Sequence, residues 1–209
     1  MDLATILAGV EAGDWPPTDR AYLTVPQPGP RAAAVVAFAG VSVIAADLDP
    51  AWIARQLPDD DLSAPLNPPF LRALEEKLGR RVNNIDAVMI APRDPGPPPL
   101  RLRELTASEH PRVRRALRYR DDVRVWETES GRGVVILGRG LAGRWEVAVE
   151  VEPQFRDRGL GRTLALAARH LAPPDRLVWA QIAPGNAASM RAFLAAGYEP
   201  VGAEALLVP

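Results

Sequence analysis

Residues 145 to 171 pass from a strand-like period to a helix-like one through a turn built of glycine and arginine, and this passage constrains the chain most. Trp145, Val147, Val149 and Val151 alternate with Glu146, Ala148, Glu150 and Glu152, the period of two of a strand. Beyond the turn, Leu160, Leu164, Ala167, Ala168 and Leu171 recur at helical spacing, so Gly159 and Gly161 open a helix. A helix that starts on glycines presents unpaired N–H groups without Cβ atoms in the way, and its dipole favours an anion there. Arg156, Arg158 and Arg162 add full positive charge around the same point. Two readings stay open on these residues: a phosphate-binding turn, or ordinary turn punctuation carrying solvated arginines.

The surrounding composition narrows the field. With 209 residues, 47% hydrophobic and 24% charged, the chain has the makeup of a soluble globular protein able to bury a real core. A formal net charge of −1 argues against a general nucleic-acid binder, so any basic site must be local. The absence of cysteine excludes disulfides, thiolate metal sites and a cysteine nucleophile. The N-terminus lacks the basic start of a signal peptide and no apolar run approaches the roughly 20 residues of a membrane span, so a cytoplasmic protein without membrane contact is expected. His110 and His170 fall in separate predicted helices, which makes a metal site improbable, and Asp59-Asp60-Asp61 reads as a solvated loop rather than an ion cluster.

Taken in order, residues 2–12 predict a short helix, 32–39 and 41–46 two strands or one bent strand about Gly40, Asp49-Pro50 and Pro68-Pro69 two helix starts, and 85–91 a strand. The proline cluster at 93–99 reads as a linker, because proline supports neither a ladder nor a helix interior. Residues 1–92 thus form an N-terminal α/β segment with no catalytic motif, and 100–209 a second domain. Its expected elements are a strand at 100–105, a helix from a Thr106/Glu109 capping box to residue 119, and strands at 123–128, 133–137 and 145–151. A helix, a strand at 177–183, a helix from 187 to 196 capped by Asn186, and short strands at 198–202 and 205–208 complete it. The result is an α/β fold with a mixed sheet. Gly138-Arg139-Gly140-Leu141-Ala142-Gly143 matches the spacing of the dinucleotide fingerprint but leads into a strand instead of a helix, so it reads as a flexible hairpin turn.

Two separated motifs resemble one family. Arg156-x-x-Gly159-x-Gly161, directly after a strand ending in Val-x-Pro, resembles the acyl-CoA pyrophosphate loop of the GCN5-related N-acetyltransferases. Asn186-x-x-Ser189 with Phe193 and Gly197-Tyr198 resembles the same family's second motif, and the resemblance covers about residues 99–209. It implies an N-acyltransferase that uses acetyl-CoA or another acyl-CoA as cosubstrate, without a metal, and passes the acyl group to a small-molecule or peptide amine by direct attack. A homodimer is compatible with it.

Carried over residue by residue, the resemblance implies that the backbone of Val149 and Val151 holds the pantetheine arm. Arg156, Asp157, Arg158, Gly159, Leu160, Gly161, Arg162 and Thr163 would hold the pyrophosphate, and Asn186, Ser189 and Phe193 would lie along the cofactor. Asn186 has an equally good role as a plain helix cap. The family's tyrosine seven residues after that asparagine, a proton donor to the departing thiolate, is here Phe193. Glu146 and Glu127 are the candidate general bases, against the alternative that each is an ordinary surface carboxylate. A non-catalytic acyl-CoA-binding protein is the rival reading.

Overall fold

The computed structural model describes residues 1–58 and 61–209, so Asp59 and Asp60 of the acidic run lie outside the described residues. The chain forms two compact units, Met1–Val88 with Val201–Pro209, and Met89–Pro200. The boundary therefore falls inside a strand, ahead of the proline cluster at 93–99, and the last nine residues belong with the first unit.

In the first unit, helix α1 (Leu3–Glu11) starts on Asp2, whose carboxylate accepts from the Thr5 amide at 2.8 Å. Strand β1 (Tyr22–Val25), which the prolines around it conceal in the sequence, runs parallel to β3 (Val41–Ala45). Strand β2 (Ala33–Phe38) joins β3 through a hairpin at Gly40. Helices α2 (Pro50–Gln56) and α3 (Pro68–Leu78) both begin on proline, and α3 ends on Gly79 in the left-handed conformation. They bury Ile53, Phe70, Leu71 and Leu74 against Val35 and Ile44. Strand β4 (Arg81–Ala91) is longer than its apolar half predicts. The two short strands expected at the C-terminus are one, β10 (Glu199–Val208), whose Ala203–Leu207 stretch pairs antiparallel with β2.

The second unit is built on the meander β5 (Leu102–Leu105), β6 (Asp121–Thr128), β7 (Gly133–Arg139) and β8 (Trp145–Val151), with β9 (Val178–Ile182) parallel to β8. Both units thus mix parallel and antiparallel pairs. Alternation assigns the faces of the meander. Trp126, Val135, Leu137 and Val147 turn towards helices α5 (Leu160–Leu171) and α6 (Ala187–Ala195), where they meet Leu164, Ala165, Ala168 and Phe193. Val125, Val134 and Ile136 turn the other way, onto Val113 and Ala116 of helix α4 (Pro111–Tyr119). Each fully buried Leu, Ile or Val in these layers contributes about 1.5–3 kcal/mol.

Two expectations are corrected here. Helix α4 begins at Pro111 rather than at Thr106, because the residue before a proline is driven into extended backbone and proline itself suits the first helical position. Its cap is His110, whose Nδ1 accepts from the Arg112 amide at 3.1 Å. Replacing His110 with alanine should cost about 1 kcal/mol in urea denaturation, the usual worth of a side-chain cap. The proline cluster is also more than a spacer. Arg169 of α5 donates to the Pro92 carbonyl at 3.0 Å, the Asp94 amide donates to the Arg169 carbonyl at 3.2 Å, and His170 Nδ1 lies 3.3 Å from the Gly96 carbonyl. These contacts strap residues 92–96 along the C-terminal end of α5.

Candidate functional site

Strands β8 and β9 are partners only at Glu146↔Trp179 and Val147↔Ala180, although β8 runs on to Val151 and β9 to Ile182. Past Val147 the two parallel strands part at their carboxyl ends. Helix α5 follows β8 and helix α6 follows β9, and β8 is where the antiparallel meander gives way to a parallel crossover. A crevice at the carboxyl ends of strands, where the connection changes direction, is the general ligand position of open α/β sheets. The backbone of Val149 and Val151 borders this parting.

The turn after β8 stands at its mouth. Asp157 (φ 60°) and Gly159 (φ 82°) are both left-handed, and this bends the chain sharply into α5. Gly159 is the N-cap and supplies no side-chain acceptor, and the first turn of α5 carries no acidic residue. Its leading amides are therefore without the oxygen that an Asp, Ser or Thr cap ordinarily offers. Arg158 and Arg162 are exposed and form no ion pair among the described residues, and Thr163 turns its hydroxyl back to the Gly159 carbonyl at 3.3 Å. Arg156 folds back along β8, with Nε on the Val151 carbonyl at 3.1 Å and Nη2 on Glu150 at 2.9 Å.

Beside the turn opens a cavity of about 460 Å³, bordered by Arg101, Ser130, Arg132, Phe155, Arg158 and Leu160. The Arg132 guanidinium lies 4.6 Å from the Phe155 ring centre, so a flat cation forms part of its wall.

The second motif is placed in two ways. Asn186 caps α6, accepting from the Ser189 amide at 3.1 Å, and both residues sit at the start of the helix that follows β9. Phe193 lies in the core. It is 4% exposed and packs edge-on against Tyr198 at 4.8 Å, so its ring is enclosed by protein. Tyr198 itself donates to the Ala165 carbonyl at 3.2 Å, and burial pushes its hydroxyl far above the usual phenol range.

The two candidate bases also fall in different settings. Glu127 of β6 pairs with Arg103 at 3.0 Å on the meander. Glu146 is 4% exposed and clamped: Oε2 takes Arg120 at 3.0 Å, and Oε1 takes Arg144 at 2.9 Å and the Leu141 amide at 3.1 Å, with Gln181 at 3.3 Å. Burial alone would raise its carboxyl, but the charges of Arg144 and Arg120 and the bonds from Arg144 and Leu141 outweigh it and hold the group below the ordinary carboxylate value. Burial lowers the Arg120 guanidinium, yet an arginine stays protonated throughout the range in which a protein folds. Glu146 is thus a fixed anion between cations, a poor proton acceptor.

This clamp also accounts for the glycine loop, whose backbone it engages. A Cβ on Gly140 would overlap the Glu146 carboxylate. The Gly140 amide donates to the Arg144 carbonyl at 2.9 Å, and a 3-10 turn at Leu141–Gly143 aims the Leu141 amide at Glu146. The sequence reading missed Glu150. It lies on the α4 face of β8, half-buried, beyond the last pair with β9, and strand alternation sets it on the same face as Glu146.

No known family's profile matches the chain, and no curated protein matches it. Among solved structures, the chain is similar to a protein assigned to the GNAT acetyltransferase family from Novosphingobium aromaticivorans. That likeness has 19% identity and a TM-score of 0.42, covering 62% of this chain and 66% of that one. It is also similar to a GCN5-related N-acetyltransferase from Kribbella flavida, at 17% identity and a TM-score of 0.44, covering 66% of this chain and 63% of that one. The chain spans just under two thirds of the length of each. At these levels the likeness carries no functional inference, which rests on the site itself. Among the described residues no helix is long and apolar enough to cross a membrane, and no group of three or more His, Asp or Glu could hold a metal ion.

Proposed function

We propose that the protein binds acyl-CoA in the second unit and transfers its acyl group, most simply acetyl, to an amine. The observation that carries this reading is the coincidence of a parted strand pair with an uncapped, arginine-flanked helix start at its mouth. One end of such a ligand is an amide-bearing arm that can pair with the free edge of β8 at Val149 and Val151, as an added strand does. The other end is a pyrophosphate suited to the amides of Leu160, Gly161 and Arg162 with Arg158. The cavity beside Phe155 and Arg132 is of the right character for a base and a further phosphate.

An acyl thioester supplies an activated carbonyl. Transfer forms a bond between the amine nitrogen and the carbonyl carbon and breaks the carbon–sulfur bond, and the nitrogen's proton has to leave while the thiolate is protonated. Neither Glu146, clamped and buried, nor Phe193, which has no hydroxyl, suits these proton movements. Glu150, whose side chain is partly open to solvent, joins Glu127 and water as a candidate for them.

The same clamp favours a second reading, a protein that binds acyl-CoA and transfers nothing. Release of free coenzyme A across a panel of amines separates the two, because a sensor binds acetyl-CoA and turns over none of them. Restoring the family's tyrosine is expected to leave turnover unimproved. Phe193→Tyr adds a hydroxyl to a ring that is enclosed by protein and should cost about 1–3 kcal/mol in thermal unfolding; a gain in coenzyme A release would contradict the placement of Phe193 in the core.

A further inference from the structure

The cavity beside the start of α5 draws its charge from three separate places in the chain. Arg101 stands just ahead of β5, Arg132 on the turn between β6 and β7, and Arg158 on the turn after β8. All three are exposed, so a ligand can reach them, and none forms an ion pair among the described residues. Glu129 is the one acid among the described residues of the wall. Three cations facing one carboxylate leave the cavity an excess of two positive charges, in a chain whose formal net charge is −1. Like charges gathered around one hollow repel each other until an anion sits between them.

Arg132 is also held in position. Its amide donates to Thr128 Oγ1 at 2.9 Å, its carbonyl accepts from the Glu152 amide at 2.9 Å, and its guanidinium stands over the Phe155 ring. A guanidinium over a ring has its face occupied, while its N–H donors lie in its own plane and stay open to an acceptor. Leu100, Phe155 and Leu160 give the cavity an apolar side, and its volume of about 460 Å³ is that of a small-molecule site rather than of a lone ion.

We infer that this cavity is a second anion site, distinct from the leading amides of α5, and that it takes a phosphomonoester carried on a nucleoside. A phosphomonoester has a charge of about −1.5 to −2 at pH 7 and three strong acceptor oxygens, so it matches an excess of two better than a singly charged carboxylate or phosphodiester does. The base lies against Leu100, Phe155 and Leu160. Arg158 and Leu160 belong both to the cavity and to the start of α5, so one molecule bearing a pyrophosphate and a separate monoester reaches both places. Under the acyl-CoA reading that monoester is the ribose phosphate of coenzyme A, and a free nucleotide is the other source of the same chemistry. The inference rests on that reading for the source of the phosphate, not for the site.

Calorimetric titration with two pairs of ligands tests it: coenzyme A against 3′-dephospho-coenzyme A, and adenosine 3′-phosphate against adenosine. The phosphate-bearing member is expected to bind at least about tenfold more tightly, the scale of one hydrogen bond to a charged group. Arg101→Gln combined with Arg132→Gln should erase the difference and leave dephospho-coenzyme A binding as in the wild type. Arg118→Gln, at an exposed arginine of α4 that does not border the cavity, should leave the difference whole. A preference within the coenzyme A pair assigns the phosphate to coenzyme A, and one confined to the adenosine pair assigns it to a free nucleotide. No preference in either pair, one that survives the double substitution, or one that falls equally in Arg118→Gln would overturn the site. Dephospho-coenzyme A carries the pyrophosphate without the monoester, so its own binding reports on the acyl-CoA reading separately.

Discussion

Glu146→Ala should lose about 3–5 kcal/mol of stability, the cost of stranding buried cations when their shared anion is removed. Arg144 is 1% exposed and Arg120 is 11% exposed at the side chain, so neither can turn out to water without unpacking α4 or the 141–143 turn. Urea denaturation measures the loss, and a change under 1 kcal/mol would mean that the clamp is not closed in solution. The pH dependence follows from the direction of the Glu146 shift. Its folded-state value lies below the ordinary 4.5, so its stabilisation is fully present above that pH and is lost as the pH falls through the folded value. The difference between the wild type and Glu146→Gln should therefore narrow on acidification below about 4.5.

Gly161→Glu should abolish the thermal shift that acetyl-CoA gives the wild type, which at a hundred times Kd corresponds to about 2.7 kcal/mol. A Cβ at residue 161 would have only Ala192 Cβ and Val151 Cγ2 near it, both at 3.9 Å, so there is room for a methyl group and Gly161→Ala serves as the folded control. The glutamate carries negative charge and bulk to the amides expected to hold the pyrophosphate. An undiminished shift in Gly161→Glu would remove the turn from the binding site.

Period and punctuation made the α/β class legible. Helix α1 was readable from the spacing of Leu3, Ile6, Leu7 and Val10, and α2 and α3 from Asp49 as a cap and from Pro50 and Pro68 at helix starts, signals local to the chain. Helix α4 was misplaced because the Thr106/Glu109 pattern and Pro111 gave rival starts, and the proline's fixed backbone prevailed. Strand β1 lies hidden among prolines, since what defines it is pairing with β3, about 20 residues further on. The same contrast divides the site. The turn at 156–163 is a local device and could be read from its residues. The ionisation of Glu146 could not, because it is decided by Arg120 and Arg144, and only the folded meander brings Arg120 to it.

The same clamp fixes what residue 140 can be. The space its missing side chain leaves is filled by the carboxylate of Glu146, so no side chain fits at position 140 while that acid keeps its place. Of the three glycines whose spacing imitates a nucleotide fingerprint, Gly140 is the one moulded to the buried ion pair, while Gly143 holds a left-handed backbone and Gly138 lies against Arg120 and Asp121.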